Sequence, residues 1–489
     1  MLFNSPEFLL FLPLVFAAYW AVNRLKEGLR VQNVLLLAAS YVFYGWWDWR
    51  FLGLIAFSTA VDWAVGLQIA RVNCGQVDES GRSRAAKAWL AVSLAVNLGL
   101  LGYFKYANFF IDSWVEVWAA AGVTMHASSL QVILPVGISF YTFQTLSYSI
   151  DIYRRQLEPT RNFIDFAAFV SFFPQLVAGP IERASALLPQ IQRRRTFDYD
   201  QAVSGLRLIL WGMFKKVVVA DTCAVYVNDI FANYEIYSGP TLVLGAVYFA
   251  FQIYGDFSGY SDMAIGLGRM MGFRFPENFR SPYTSRTITE FWQRWHITLG
   301  DFMRNYLYIP LGGNRSRTAG RRYFNLAAVF LASGLWHGAA WNFVLWGAAH
   351  GALILLERIF LKAWLDRRPR LLGMLYMHAG LFLTWVLFRI ENLKRTGVYF
   401  AKLFSGDFSS CNLHFTWSSK DFFLVAVAAF FAYFSAFPAG ERLERRMFES
   451  DVLTRRQHQV LLPLASLLLF LGGLEVLGTD FNPFIYFRF

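Results

Sequence analysis

Apolar stretches of membrane length recur along this chain, parted by short loops rich in Arg and Lys. They fall at 7–23, 31–47, 51–70, 88–104, 131–152, 204–220, 240–268, 323–356, 371–389, 421–438 and 459–478. As a helix, an uncharged run of about 20 residues crosses about 30 Å of hydrocarbon. The pattern predicts an all-α, polytopic membrane protein with about 10–12 transmembrane helices. A β-barrel would show alternating strands of about ten residues instead. No internal repeat or separate soluble segment interrupts the pattern, so 1–489 reads as one integral membrane domain.

Two stretches depart from simple crossings. Segment 162–180 has basic residues at both ends and is interrupted by Pro174, Gly179 and Pro180, which break helices. It is predicted to be re-entrant or interfacial, a backbone allowed at depth only within protein or beside a water-filled cavity. Tyr323–Leu356 contains no Asp, Glu, Lys or Arg, yet would run about 50 Å as one helix. Ser333, Gly334 and Gly338 predict a break near its middle, giving two crossings or a re-entrant hairpin with His337 near the tip.

The loops set the orientation. Arg24, Lys26 and Arg30 follow the first span, Arg71, Arg82, Arg84 and Lys87 the third, and Arg154, Arg155 and Arg161 the 131–152 segment. The loops 269–322, 358–370 and 442–456 are also basic. All fall on one side if the N-terminus is periplasmic, and the positive-inside bias makes that side the cytoplasm of an inner-membrane protein. The first 20 residues lack a basic leader and read as the first span, not a cleaved signal.

Composition agrees with this class: 56% hydrophobic and 16% charged residues, where a soluble domain carries about 25% charged. The net charge of +12 is explained by the basic loops and gives no reason to expect nucleic acid. Cys74, Cys223 and Cys411 are isolated, without metal spacing or a disulfide framework.

An ionisable side chain at membrane depth is costly unless it faces a cavity, a partner or a reaction path, which makes His337 a candidate functional residue. A second histidine lies in 287–322. Thr287 and Glu290 fit a capping box, and Trp292, His296, Leu299 and Met303 follow on one helix face. A buried, hydrogen-bonded core histidine is the plain alternative for His296, and an interhelical hydrogen bond the plain alternative for His337. His350 would lie about 220° round from His337 on a continuous helix, so the two would not converge. Neutral imidazoles suit acyl transfer, because they accept a proton from a hydroxyl as it attacks a thioester. No HExxH, Cys pair or carboxylate–histidine spacing points to a metal, and no G-x-S-x-G elbow lies near. Arg294, Arg304, Arg315, Arg317, Arg321 and Arg322 could hold phosphates or simply mark the cytoplasmic side. Asp256 and Asp262, in an otherwise apolar span, call for an Arg partner or a water-filled cavity.

The strings ASYVFYGWWDWRF (39–51), LGYFKYANFF (101–110), FPQLVAGPIER (173–183), YGDFSGYSDMAIGLGRMMGFRFPENF (254–279), ITEFWQRWHITLGDFMRNYLYIPLGGNR (288–315) and GLWHGAAWNFVLWGAAHG (334–351) resemble the membrane-bound O-acyltransferase family, in its bacterial alginate O-acetyltransferase branch. The resemblance implies a ring of tilted helices around a central funnel, with re-entrant and interfacial helices. It implies that His337 is catalytic, as general base or transient acyl carrier, and that His296 serves the cytoplasmic side of the path. Trp336, Trp295, Arg294 and Asn305 are the accompanying candidate substrate contacts. The implied reaction passes acetyl from cytoplasmic acetyl-CoA, a substrate and not a cofactor, across the membrane for exopolysaccharide O-acetylation. Implied partners are the membrane lipid, a periplasmic SGNH-type acetyltransferase and the polysaccharide synthesis machinery. Alginate is the expected acceptor. Cellulose, peptidoglycan, another glycan or D-alanyl transfer stay open, as do a solute transporter or a synthase scaffold.

Overall fold

The computed structural model describes residues 1–73, 84–125, 130, 132–316 and 318–406, with scattered positions beyond (426, 429, 430, 432, 433, 437–444 and 484). Expected span 459–478 lies outside the described residues, as does most of 421–438. Among the described residues the chain is helical, with one isolated bridge between Phe279 and Trp295. Two compact units emerge: Met1–Gly205 with Leu267–Pro276, and Leu206–Gly266 with Glu277–Phe489.

The first unit holds α1 (Pro6–Ala21), α2 (Gly28–Asp48), α3 (Arg50–Asn73), α4 (Arg84–Leu101), α5 (Ala107–Ala120), α6 (Ile138–Tyr153), α7 (Phe163–Ser171), α8 (Phe173–Leu176) and α9 (Ala184–Ile191). Segment 162–180 is not a crossing. At about 1.5 Å per residue, α7 is far too short, and Asn162 caps it by accepting from Ile164 N–H at 3.0 Å. The chain turns at Phe172, and Pro174 sits in the first turn of α8, where a missing N–H costs nothing. Every residue from Asp165 to Glu182 is buried, so this irregular backbone is wrapped in protein as the bilayer requires. Inside the same unit, Asp62 is fully buried and held by neutral groups: Ser93 Oγ at 2.5 Å, Asn97 Nδ2 at 2.7 Å and Ser149 Oγ at 3.1 Å.

α10 (Tyr199–Phe214) and α12 (Gly239–Met270) each run across the division in sequence, with α11 (Asp221–Ala232) between them. Lys215–Ala220 forms a π-helical turn that carries two lysines. Lys216 Nζ lies 2.7 Å from both Asp221 and Asp256, and Lys215 Nζ lies 2.7 Å from Asp262. Asp256 and Asp262 thus find lysines, not the expected Arg or an open cavity. A π-turn shifts the register by one residue, presenting adjacent lysines to two carboxylates on one helix.

The second unit continues with α13 (Ile288–Arg294), α14 (Ile297–Met303), α15 (Ala319–His337), α16 (Trp341–Leu356), α17 (Lys362–Asp366), α18 (Arg370–Arg389) and α19 (Leu393–Leu403). Five described helical stretches are long and apolar enough to cross a membrane: Pro6–Arg24, Arg50–Asn73, Arg84–Ala120, Trp341–Asp366 and Arg370–Arg389. The chain is therefore a helical, multi-pass membrane protein. Tyr323–Leu356 resolves into a hairpin. α15 ends at His337, Gly338 and Ala340 are extended, and α16 returns along α15. The close return depends on two glycines: a Cβ on Gly334 would overlap the Phe343 carbonyl, and one on Gly347 the Phe330 carbonyl. Of the two hairpin arms, only the one containing α16 is among the five membrane-length stretches.

Candidate active site

His337 closes α15 at the turn of the hairpin and is only 3% exposed. Its ring sits edge-on to Trp346 (centroids 5.0 Å apart), Phe388 (5.7 Å) and Trp336 (5.0 Å). Three aromatic walls fix the imidazole orientation and keep bulk water away. The ring stands where the hairpin turns, at the break expected near Gly334 and Gly338.

His296 is not on a continuous amphipathic helix. The expected helix over 287–306 breaks at this residue, which takes a left-handed backbone (φ 47°, ψ 52°) between α13 and α14. The break follows from pairing with the strand-like segment before it. Arg280 N–H donates to Arg294 O at 2.9 Å, and Ile297 N–H donates to Asn278 O at 2.9 Å. Helical periodicity could not show this, because the residues on both sides of the break keep apolar faces. The predicted cap at Thr287 is present, its Oγ1 accepting from Glu290 N–H at 3.0 Å. Glu290 accepts from Arg286 N–H at 2.8 Å, so the box closes one residue earlier than the sequence motif suggests.

Asn278 sets the His296 tautomer. Its Oδ1 accepts from Thr298 Oγ1 at 2.9 Å and Thr298 N–H at 3.3 Å, while its Nδ2 donates to Ser261 Oγ at 3.0 Å. His296 Nδ1, 3.0 Å from that same Oδ1, must therefore donate. The Nε2 lone pair is buried and has no hydrogen-bond partner among the described residues. Burial pulls the His296 pKa down to about 3, so the ring is neutral in the physiological range. None of the five membrane-length helices contains it.

Trp336 lies between the two histidines, its ring centroid 5.9 Å from His296 and 5.0 Å from His337. A cavity of about 290 Å³ opens beside His296, and neither Trp336 nor His337 is on its wall. Its inner wall carries Trp292, His296 and Ser333, and its outer wall Arg304, Asn314 and Arg358. Ser333 is one helical turn before His337, so the cavity ends close to the hairpin tip. Its lining is a basic mouth, an apolar throat and a neutral imidazole at the inner end.

The other sequence candidates lie around this core. Trp295 is 1% exposed and packs against Phe279, Phe291 and Trp385, outside the cavity wall. Arg294 also stands outside that wall, bound to Glu290 at 2.8 Å. Asn305 lies in the turn after α14, next to the cavity residue Arg304.

Two residues that sequence reasoning did not single out, and one that it set aside, support the site. Asn278 orients His296, as described. Glu357 is 3% exposed and accepts from Ile288 N–H at 2.5 Å, Thr289 N–H at 2.9 Å and Thr289 Oγ1 at 2.5 Å. It ties the start of α13 to the end of α16, satisfying helix-terminal donors with a carboxylate. The signal was an acid closing an uncharged run, which read as a membrane boundary. His350 is the third. The 220° argument assumed one helix, and the hairpin removes that assumption: Trp346 packs against both His337 and His350 (5.0 and 4.9 Å).

Comparison with known proteins places this geometry. The sequence profile of the membrane-bound O-acyltransferase family matches residues 153–367, which include both histidines. A probable alginate O-acetylase of Pseudomonas putida is 40% identical over the full length of both chains. That of Azotobacter vinelandii is 44% identical over 85% of this chain and 80% of its own. A peptidoglycan O-acetyltransferase of Helicobacter pylori is 36% identical over 81% of this chain and 78% of its own. A helical multi-pass chain with two buried histidines bridged by one tryptophan, and relatives this similar over this length, belongs to the membrane-bound O-acyltransferase family.

Proposed function

We propose that this acyltransferase takes acetyl from acetyl-CoA on the cytoplasmic side of the inner membrane and delivers it for O-acetylation of an exopolysaccharide. Alginate is the acceptor favoured by relatives named for it at 40% and 44% identity. The observation that carries the mechanism is the run of rings His296–Trp336–His337, which starts from His296 on the wall of a cavity with a basic mouth.

Arg304 and Arg358 at that mouth suit the phosphates of the donor, because guanidinium matches phosphate geometry. Arg294, paired with Glu290 and off the cavity wall, adds positive charge to the same cytoplasmic segment. His296 Nε2 offers a lone pair to the donor arm as it passes Trp292 and Ser333. At the tip, His337 accepts the proton of an acceptor hydroxyl as that oxygen attacks the thioester carbonyl. The C–O bond forms, the C–S bond breaks, and the proton returns from the imidazolium to the departing thiolate. Trp336 holds both rings and excludes water, which would otherwise hydrolyse the thioester. Trp295 packs the short helix before His296 against Phe279 and Trp385, and Asn305 follows the donor-facing Arg304 as a second polar contact for the donor. The N-terminus is periplasmic in this orientation, and a periplasmic SGNH-type acetyltransferase receives the acetyl group before the polysaccharide machinery.

The test is polysaccharide O-acetylation in cells carrying His337→Ala, with the membrane level of the protein measured in parallel. General acid–base groups contribute about 10²–10⁴-fold, so acetylation should fall below detection at a normal protein level. Full acetylation would remove His337 from the mechanism.

A further inference from the structure

The wall of the cavity is held by a hydrogen bond that the proposed mechanism does not use. Trp292 Nε1–H donates to His350 Nδ1 at 3.2 Å, with the two rings perpendicular and 5.1 Å apart. Trp292 is a cavity wall beside His296, whereas His350 lies behind it on α16, fully buried. Because Nδ1 accepts, the proton of the neutral ring is on Nε2, and that N–H is buried without a hydrogen-bond partner among the described residues. Of two buried polar atoms, then, one is spent on Trp292 and one is left unsatisfied. Leucine would fill such a place without the unsatisfied donor. Simple packing therefore does not account for a histidine here.

The same ring sits at a junction. Trp346 touches His350 (4.9 Å), His337 (5.0 Å) and Trp292 (5.5 Å). The indole of Trp292 has Phe330 on another side at 5.7 Å. Aromatic contacts restrain its plane, but they do not choose between its two flipped orientations. A single N–H acceptor on one edge does, because only one orientation brings Nε1 to His350.

We propose that His350 is a positioning residue for acyl transfer: its Nδ1 fixes the indole of Trp292, and so fixes the face that the cavity presents to the thioester donor. The inference rests on the reading of that cavity as the donor site. Loss of the acceptor frees the indole to flip, which blurs the wall next to His296 and leaves His337 in place. The defect belongs to donor binding more than to the chemical step.

The test uses the full-length protein in membranes, with acetyl-CoA as the probe and release of free thiol as the readout. His350→Leu removes the acceptor, and His350→Asn keeps an oxygen near the Nδ1 position. Trp292→Phe removes the donor from the other end. His350→Leu should raise the KM for acetyl-CoA about 5- to 10-fold, the worth of one hydrogen bond, with kcat within about 2-fold. His350→Asn should restore KM, and Trp292→Phe should give the same KM alone and in combination with His350→Leu. Equal defects in the Leu and Asn variants, or additive effects in the double variant, overturn the proposal. So does a loss confined to kcat. If His350→Leu does not accumulate in membranes, the Asn and Trp292→Phe variants decide alone: Trp292→Phe with unchanged KM overturns it. Failure of the donor-site reading is distinguishable, because His296→Gln would then leave KM unchanged as well.

Discussion

His296 has a backbone that few residue types accept readily and a ring that burial keeps uncharged. The two properties have separate consequences. An alanine here must adopt a left-handed conformation at a cost of about 1 kcal/mol, so His296→Ala mixes backbone strain with loss of the imidazole. His296→Gln and His296→Gly separate them. The pH effect has a definite sign. An unfolded histidine titrates near 6.5 and the folded one near 3. Above about pH 6.5 neither state gains a proton and stability is unaffected. Below it the unfolded chain binds a proton that the folded chain refuses, so stability falls by up to about 1.4 kcal/mol per pH unit as pH drops toward 3. Thermal unfolding in detergent between about pH 7 and pH 5 should therefore show a steeper loss for the wild type than for His296→Gln. Parallel slopes would mean that this ring is not buried as described. The two histidines were legible as residue types in unusual places: one mid-run in an uncharged stretch, one on an apolar stripe. Their partners were not: Asn278 is an ordinary residue, and His350 one that helix geometry set aside, until the fold brings them beside His296 and Trp292.

Among elements, periodicity served best where a helix runs unbroken. α1, α3 and α18 cover the expected spans 7–23, 51–70 and 371–389 closely. It failed where a backbone break preserves the apolar face, as between α13 and α14, and where a π-turn re-aims side chains, as at Lys215–Ala220. The π-turn matters energetically. Lys216 is 6% exposed in its side chain and holds Asp221 and Asp256, the latter 3% exposed. Removing one partner of a buried ion pair leaves an uncompensated charge and costs about 3–5 kcal/mol. Lys216→Met should lower the unfolding midpoint markedly, and adding Asp256→Asn should recover part of the loss. A single variant as stable as the wild type would show the pairs to be dispensable. The break was expected from Ser333, Gly334 and Gly338, yet only the observed return of α16 shows why Gly334 and Gly347 must both lack a Cβ.

At the scale of the whole molecule, the family was legible from its motifs, three of which fall on the histidine segments and the buried α7–α9 region. FPQLVAGPIER forms the wrapped, irregular backbone of the first unit, and the two histidine segments form the site of the second. The tract after residue 406 carries few such strings and lies mostly outside the described residues. The unequal arms of the hairpin bear on how the protein is made. α16 belongs to a stretch that can stay in the bilayer on its own apolarity, and α15 does not. As the chain leaves the ribosome, α15 emerges first without the helix it packs along, so the expected outcome is that the two enter together once α16 has followed. Insertion is then a two-helix event, and His337 reaches its depth only when residue 366 or so has been synthesised. A reporter fused after His337 should therefore be found on chains whose α15 has not entered the membrane, whereas one fused after Asp366 should follow an inserted pair. Protease protection of the first fusion would show instead that α15 inserts unaided.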